Sequence, residues 1–294
     1  MKERLEHKMT PDIRFPNLGI NIDNLIKEIK IYNNFSIAIY GIMITIGILA
    51  GLYIAQRNAK VSGQDPEFYT SFVVVAVISS IIGARLYYVI FSWDEFKDNI
   101  LKIFNLRSGG LAIYGAVIFA VITAYVYGKY KNKSFLEICD TACPGLILGQ
   151  AIGRWGNFFN REAFGGYTDS LFAMQIRASD ITQGNLNSDA NTKLVEYMGE
   201  KYLQVHPTFL YESIWNLAVF AFLMLFRKKT RFKGELFLWY LSLYGIGRFF
   251  IEGLRTDQLR IMNFAVSQVL GIALFIICLF TILIKRMKYE KVGK

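Results

Sequence analysis

The sequence predicts an all-α polytopic membrane protein of about seven transmembrane helices, with a small extracytoplasmic cap between the fourth and the fifth. Three observations carry this. Of 294 residues, 53% are hydrophobic and 15% aromatic, with 5 prolines against 24 glycines, which is too apolar for an ordinary soluble domain. The apolar residues gather into stretches of about 20, the length that crosses a bilayer as one helix, and such stretches recur along the chain. Lysines and arginines fall between the stretches and favour alternate loops. The net charge of +10 therefore reads as membrane topology, since a nucleic-acid binder would concentrate its basic residues on one soluble face.

Residues 1–34 are polar and lack the apolar core of a signal peptide, so they are expected to form an N-terminal arm, and the first membrane helix must itself direct insertion. Length and apolar density place helices at about 35–56, 68–91, 109–128, 135–153, 206–226, 235–254 and 264–284. Glu137, Asp140, Pro144 and Gln150 interrupt the fourth. Such a segment persists in lipid only when other helices shield it, which puts it at the centre of the bundle. Cys139, Cys143 and Cys278 all lie inside apolar segments, where they are expected to be small buried hydrophobes rather than disulfide or redox groups.

The short loops set the orientation. Those after helices one, three and five, with the C-terminal tail 285–294, hold fifteen Lys and Arg, from Arg57 to Lys294. The opposite short loops hold five: Lys97, Lys102, Arg107, Arg255 and Arg260. Positive charge accumulates on the cytoplasmic side, so the N-terminus is expected outside and the C-terminus inside. Residues 154–205, rich in Gly, Asn, Asp and Ser, are the one long connection and form the expected cap within a 35–284 membrane domain.

Charges within the membrane segments call for partners or a function. In the sixth helix Tyr244, Arg248, Glu252 and Arg255 follow i, i+4, i+8 and i+11 and share one face. An Arg248–Glu252 pair that merely tolerates burial would leave Arg255 and Tyr244 unexplained. Guanidinium forks match the oxygens of an anionic lipid headgroup. The end of the fourth helix is dense in Gly, Asn and Arg, reading Gly153-Arg154-Trp155-Gly156-Asn157-Phe158-Phe159-Asn160-Arg161-Glu162 and then Gly165. Read alone it is also an ordinary helix stop with an interfacial Arg. Ser108-Gly109-Gly110 to Tyr114 opens the third helix, and His206-Pro207-Thr208 to Glu212 opens the fifth. With the orientation above, Tyr40, Tyr114, Arg154, His206, Tyr244, Arg248 and Glu252 all fall near the outer surface, although they come from different segments. They are expected to form one polar site, open to the outer leaflet and capped by 154–205.

These residues closely resemble the prolipoprotein diacylglyceryl transferase family. Its signature reads G-R-x-G-N-F-x-N-x-E followed by Gly, and residues 153–165 match it. Tyr40-Gly41, His206-Pro207-Thr208, Leu210-Tyr211-Glu212 and Tyr244 through Asp257 look like further family blocks, in the right order from residue 40 to about 260.

The resemblance implies a seven-helix enzyme of the bacterial inner membrane. Such an enzyme takes phosphatidylglycerol from the bilayer lipid, joins its diacylglyceryl group to the lipobox cysteine of a prelipoprotein as a thioether, and releases glycerol phosphate. It implies that Arg154, Arg248, Tyr114 and Glu252 act in the chemistry. Arg154, Asn157, Asn160, Glu162, Gly165, Tyr40, His206, Tyr244 and Arg255 would hold the substrates. No cofactor is implied, and no metal site is visible, the only histidines being His7 and His206. Family members commonly carry a His in the third-helix block as a proposed general base, whereas this chain has Tyr114. Tyrosine is a poor base at neutral pH unless a guanidinium lowers its pKa. The base therefore stays open among Tyr114, Glu252, His206 and hydroxide.

Two other classes fit parts of the pattern. A transporter or channel for an anionic solute would use buried arginines, but it needs a polar path to both faces, and the inner half has no comparable cluster. A lipid-binding membrane protein without chemistry would fit the Tyr114 departure.

Overall fold

A computed structural model describes residues 10–32, 35–106, 109–181, 193–256, 258, 260–261 and 264–292. His7, Arg107, Ser108, Asp257 and Lys294 lie outside these. In chain order the elements are β1 (Ile13–Phe15), β2 (Ile20–Ile22), β3 (Glu28–Tyr32), β4 (Phe35–Ala38), α1 (Ile39–Val61), α2 (Pro66–Phe91), α3 (Ile113–Tyr130) and α4 (Phe135–Asn160). There follow β5 (Met174–Arg177), β6 (Lys193–Tyr197), β7 (Glu200–Val205), α5 (Thr208–Phe226), α6 (Glu235–Glu252), β8 (Arg260–Ile261), β9 (Phe264–Ala265) and α7 (Val266–Val292).

The seven predicted helices are all present, and the chain is an all-α polytopic membrane protein in its helical architecture. Six of them, all but α6, are long and apolar enough to cross a membrane. Glu235, Arg248 and Glu252 set α6 apart, so this helix depends on polar partners to stay buried. The connections differ from the helical reading. Residues 35–38 belong to a β3–β4 hairpin instead of the first helix, and α3 begins at Ile113, four residues past the expected start.

The chain divides into two compact units. One comprises Met1–Gly51, Leu146–Arg231 and Leu238–Lys294, the other Leu52–Gly145 and Phe232–Phe237.

In the first unit the N-terminal arm and the 154–205 segment share one antiparallel sheet, ordered β2-β1-β5-β7-β6. Ile13 pairs with Ile176, and Ile176 with Leu203. Alternate residues on one side of these strands, namely Ile13, Phe15, Met174, Ile176, Leu203 and Val205, are buried with Phe158 at the end of α4 and Phe209 at the start of α5. Alternation of period two delivers one apolar face, and that face seats the sheet on the helix ends that carry the signature residues.

Two glycines let α1 and α4 approach closely. A Cβ on Gly47 would lie 2.8 Å from the carbonyl oxygen of Gly149, and one on Gly149 would lie 2.9 Å from that of Gly47. Small residues permit this backbone proximity. Gly149→Val is expected to cost about 1–3 kcal/mol through overpacking. A thermal unfolding midpoint in detergent within a degree of wild type would contradict the contact.

In the second unit Asp65 caps α2, accepting from the Glu67 N–H at 3.0 Å, with Pro66 in the first turn. Pro144 cannot donate to the carbonyl of Asp140, and the Cys143 thiol faces that oxygen at 3.6 Å. The Asp140 carboxylate accepts from the N–H groups of Gly234 at 2.6 Å and Phe237 at 2.9 Å, capping the start of α6. A segment expected to be awkward in lipid thus uses its acid to satisfy another helix.

Candidate functional site

Five charged side chains, four from three helices and Arg255 from the turn after α6, meet in the first unit. Glu212, in the second turn of α5, is buried, with 5% of its surface exposed. One of its carboxylate oxygens pairs with Nε of Arg154 from α4. The other accepts from Nη1 of Arg248 on α6 at 2.8 Å and lies 3.7 Å from Nη1 of Arg255. Glu252, 3% exposed, ends α6; its Oε2 stands 2.5 Å from Nη2 of Arg248 and 3.9 Å from Nε of Arg255. Arg248 thereby bridges two carboxylates, using the two arms of its fork.

Among the described residues, three guanidinium groups thus converge on two buried carboxylates. The helical spacing explains part of the geometry, since Arg248 and Glu252 are one turn apart on α6 and Arg255 follows just past its end. The rest is tertiary. Trp155 donates to Ser213 Oγ at 3.3 Å, and Ser213 donates to the carbonyl of Ala151 at 3.0 Å. These bonds set α4 against α5 so that Arg154 and Glu212, the residues preceding Trp155 and Ser213, face each other.

The signature continues in a tight turn. Asn157 and Asn160 both donate to Oε1 of Glu162, at 3.0 and 3.3 Å. The Glu162 N–H reaches the carbonyl of Asn157 at 3.1 Å, and the Arg161 N–H that of Phe158 at 3.1 Å. This is a Schellman helix end, whose left-handed position is commonly glycine. Here Arg161 occupies it, with φ +56°. Gly156 lies against the Tyr40 ring, where a Cβ would come within 2.6 Å. Gly165 is wedged between two backbone segments: its N–H donates to the His206 carbonyl at 3.0 Å, it forms an isolated antiparallel bridge with Arg255, and a Cβ would lie 2.7 Å from the Leu254 carbonyl. Backbone pairing through Gly165 and Gly166 therefore ties the end of the signature to both His206 and the segment that carries Arg255.

His206 precedes α5. Its Nδ1 is 3.3 Å from the Tyr211 hydroxyl, and burial pushes its pKa below the ordinary histidine value. The imidazole is thus neutral near pH 7 and able to accept a proton. Tyr244 stacks on Tyr240, centroids 6.0 Å apart.

The structure brings Arg154, Arg248, Arg255 and Glu252 together, with Tyr40, Asn157, Asn160, Glu162, Gly165, His206 and Tyr244 in the same compact unit. Tyr114 belongs to the other unit. It lies in the first turn of α3 with its ring 6.3 Å from that of Tyr87. The preceding Gly109 and Gly110 carbonyls accept from Arg85 at 2.9 and 3.0 Å. Glu212, the hub of the cluster, was absent from the candidate residues drawn from the sequence. Its signal was a single carboxylate in a 19-residue helix with no other charge, a cost that lipid tolerates only against a cation.

Fold and site together define a multi-pass helical membrane protein with an arginine–glutamate cluster buried among its helices. Residues 28–284 match the family model described as prolipoprotein diacylglyceryl transferase. Among relatives, a phosphatidylglycerol–prolipoprotein diacylglyceryl transferase of Clostridium botulinum strain Langeland is 46% identical over 259 residues, 87% of this chain and 96% of the relative. One of the same name from C. botulinum strain 657 is 47% identical over 253 residues, 85% of this chain and 96% of its own. Another from Bacillus cereus strain B4264 is 40% identical over 252 residues, covering 86% and 89%. The chain belongs to the prolipoprotein diacylglyceryl transferase family.

Proposed function

We propose that this protein transfers the diacylglyceryl group of phosphatidylglycerol to the lipobox cysteine thiol of a prelipoprotein. It carries this out in a cell membrane with its N-terminus outside and its C-terminus in the cytoplasm, the orientation that the loop charges favour. The observation that carries the reading is the shared, buried carboxylate of Glu212, which gathers the guanidinium groups of Arg154, Arg248 and Arg255 in one place.

The chemistry follows from those gathered guanidinium groups. The cysteine loses its proton to a base, and its sulfur attacks the glycerol carbon bonded to the phosphate oxygen. A C–S bond forms as the C–O bond breaks, the electron pair leaves on the phosphate, and glycerol phosphate is released. Guanidinium groups already held in place stabilise that departing charge without reorganising. Arg154 and Arg248 serve this task, and Arg255 and Glu252 position them. Asn157, Asn160 and Glu162 with Tyr40, Tyr244 and Gly165 shape the headgroup's surroundings. The neutral imidazole of His206 is one base, alongside Tyr114, Glu252 and hydroxide. Family membership speaks against the transporter reading.

The test combines purified protein in nanodiscs, phosphatidylglycerol and a lipobox peptide, with the thioether-linked product read by mass spectrometry. Wild type is expected to form it, and Arg154→Ala to do so about 100-fold more slowly. A wild type that makes none overturns the reading. In the same assay, full turnover by Tyr114→Phe with unchanged lipid binding would remove Tyr114 as the base.

A further inference from the structure

Arg161 stands where a helix end prefers glycine, and its side chain explains why. The guanidinium is buried, 5% exposed, and reaches Asp12 Oδ2 at 3.2 Å, Asp180 Oδ2 at 3.5 Å and the Leu25 carbonyl at 2.7 Å. Asp12 is the keystone on the other side. Its second oxygen meets Nη2 of Arg177, also buried, at 2.8 Å. Its Oδ2 also accepts the Leu25 N–H at 2.6 Å, and its carbonyl accepts the Arg177 N–H at 3.1 Å. The Tyr202 hydroxyl donates to the neighbouring Pro11 carbonyl at 2.6 Å. One carboxylate near the start of the chain thus joins the arm, strand β5 and the signature turn.

We propose that Asp12 and Arg161 form a clasp that positions the signature turn for catalysis, making the N-terminal arm part of the working site. The residues flanking Arg161 are Asn160 and Glu162, and both belong to the Asn157–Asn160–Glu162 hydrogen-bond set. A shift of the Arg161 backbone moves that set, one turn beyond Arg154. A left-handed arginine is tolerated because the surrounding contacts over-determine it. The family model begins at residue 28, so Asp12, Leu25 and the β1 strand that anchors the clasp lie before the matched region. The positioning contact is therefore built from a part of this chain that the family pattern does not cover.

The inference rests on the proposed transfer reaction, and its test separates the two. Arg161→Gly is the discriminating variant, because glycine favours the left-handed turn and the helix end can persist while the clasp is lost. Asp12→Asn removes the charge from the other side, and Asp12→Glu partly restores it. Arg14→Ala is the control: Arg14 lies on the same strand, with its guanidinium over the Tyr197 ring at 3.2 Å, and does not touch the turn.

In the nanodisc assay Arg161→Gly and Asp12→Asn are expected to lower kcat by about 10- to 100-fold, the range for a misplaced catalytic group. KM for phosphatidylglycerol should stay near wild type, while the thermal midpoint falls in both clasp variants because each leaves buried charge uncompensated, with Asp12→Glu intermediate and Arg14→Ala unchanged. Hydrogen exchange at residues 160–166 should accelerate in the two clasp variants alone. Full turnover by Arg161→Gly, or an equal loss in Arg14→Ala, would overturn the clasp as a positioning device. If the wild type transfers no lipid, the functional reading fails, and the clasp is then judged on exchange: unchanged protection at 160–166 in both variants refutes it and selective loss supports it.

Discussion

Replacing Arg248 by lysine is expected to reduce transfer to about one part in 100 to 1,000 of wild type, the effect of removing a donor aimed at developing charge. A positive charge remains, so the loss would report geometry. Arg248 reaches Glu212 with Nη1 at 2.8 Å and Glu252 with Nη2 at 2.5 Å. An ammonium is a point charge without a planar fork, and it cannot hold both carboxylates in that arrangement while presenting a face to phosphate. Rates of thioether formation by Arg248→Lys and Arg248→Ala, set beside their thermal midpoints, check this. Near-wild-type turnover in Arg248→Lys would mean that charge alone suffices and that the bridge between α5 and α6 is incidental.

The arginines of that bridge were legible because they break strong local rules. Arg248 and Glu252 sit in an apolar helix one turn apart, and the Gly-Arg-Asn run of residues 153–165 is too polar for a membrane segment. The helices were legible because length in lipid is fixed by bilayer thickness. What connects them was harder to read. Strands β1 and β2 are three residues each, too short for an alternating pattern to stand out, and β1 finds its partner β5 about 160 residues later. The arm and the long connection therefore looked independent, although they share one sheet. Glu212 escaped for a different reason. An acid near a helix start is ordinary, since it complements the helix dipole, and only the convergence of α4, α5 and α6 shows how many cations it serves. Asp12 was equally silent as one acid in a polar arm, and Arg161 could not be told from a surface residue until its left-handed backbone and buried guanidinium were seen.

Glu212 also separates binding from chemistry. Glu212→Gln would remove one negative charge from among the arginines it gathers. An anionic headgroup should then bind at least as well. The amide, however, cannot accept charge-assisted bonds from Arg154 and Arg248 together, so the forks lose their common anchor. The expected result is a kcat about 100-fold lower with a KM for phosphatidylglycerol no higher than wild type, the pattern of an interaction that matters in the transition state more than in the bound lipid. Glu212→Ala should in addition destabilise the protein by about 3–5 kcal/mol, because breaking a buried ion pair leaves uncompensated charge. Steady-state kinetics over a range of lipid fractions in nanodiscs, with thermal unfolding alongside, measure both effects. A raised KM at unchanged kcat would instead make Glu212 a lipid contact and leave the arginines to organise themselves, an arrangement that three like charges within reach of one another disfavour.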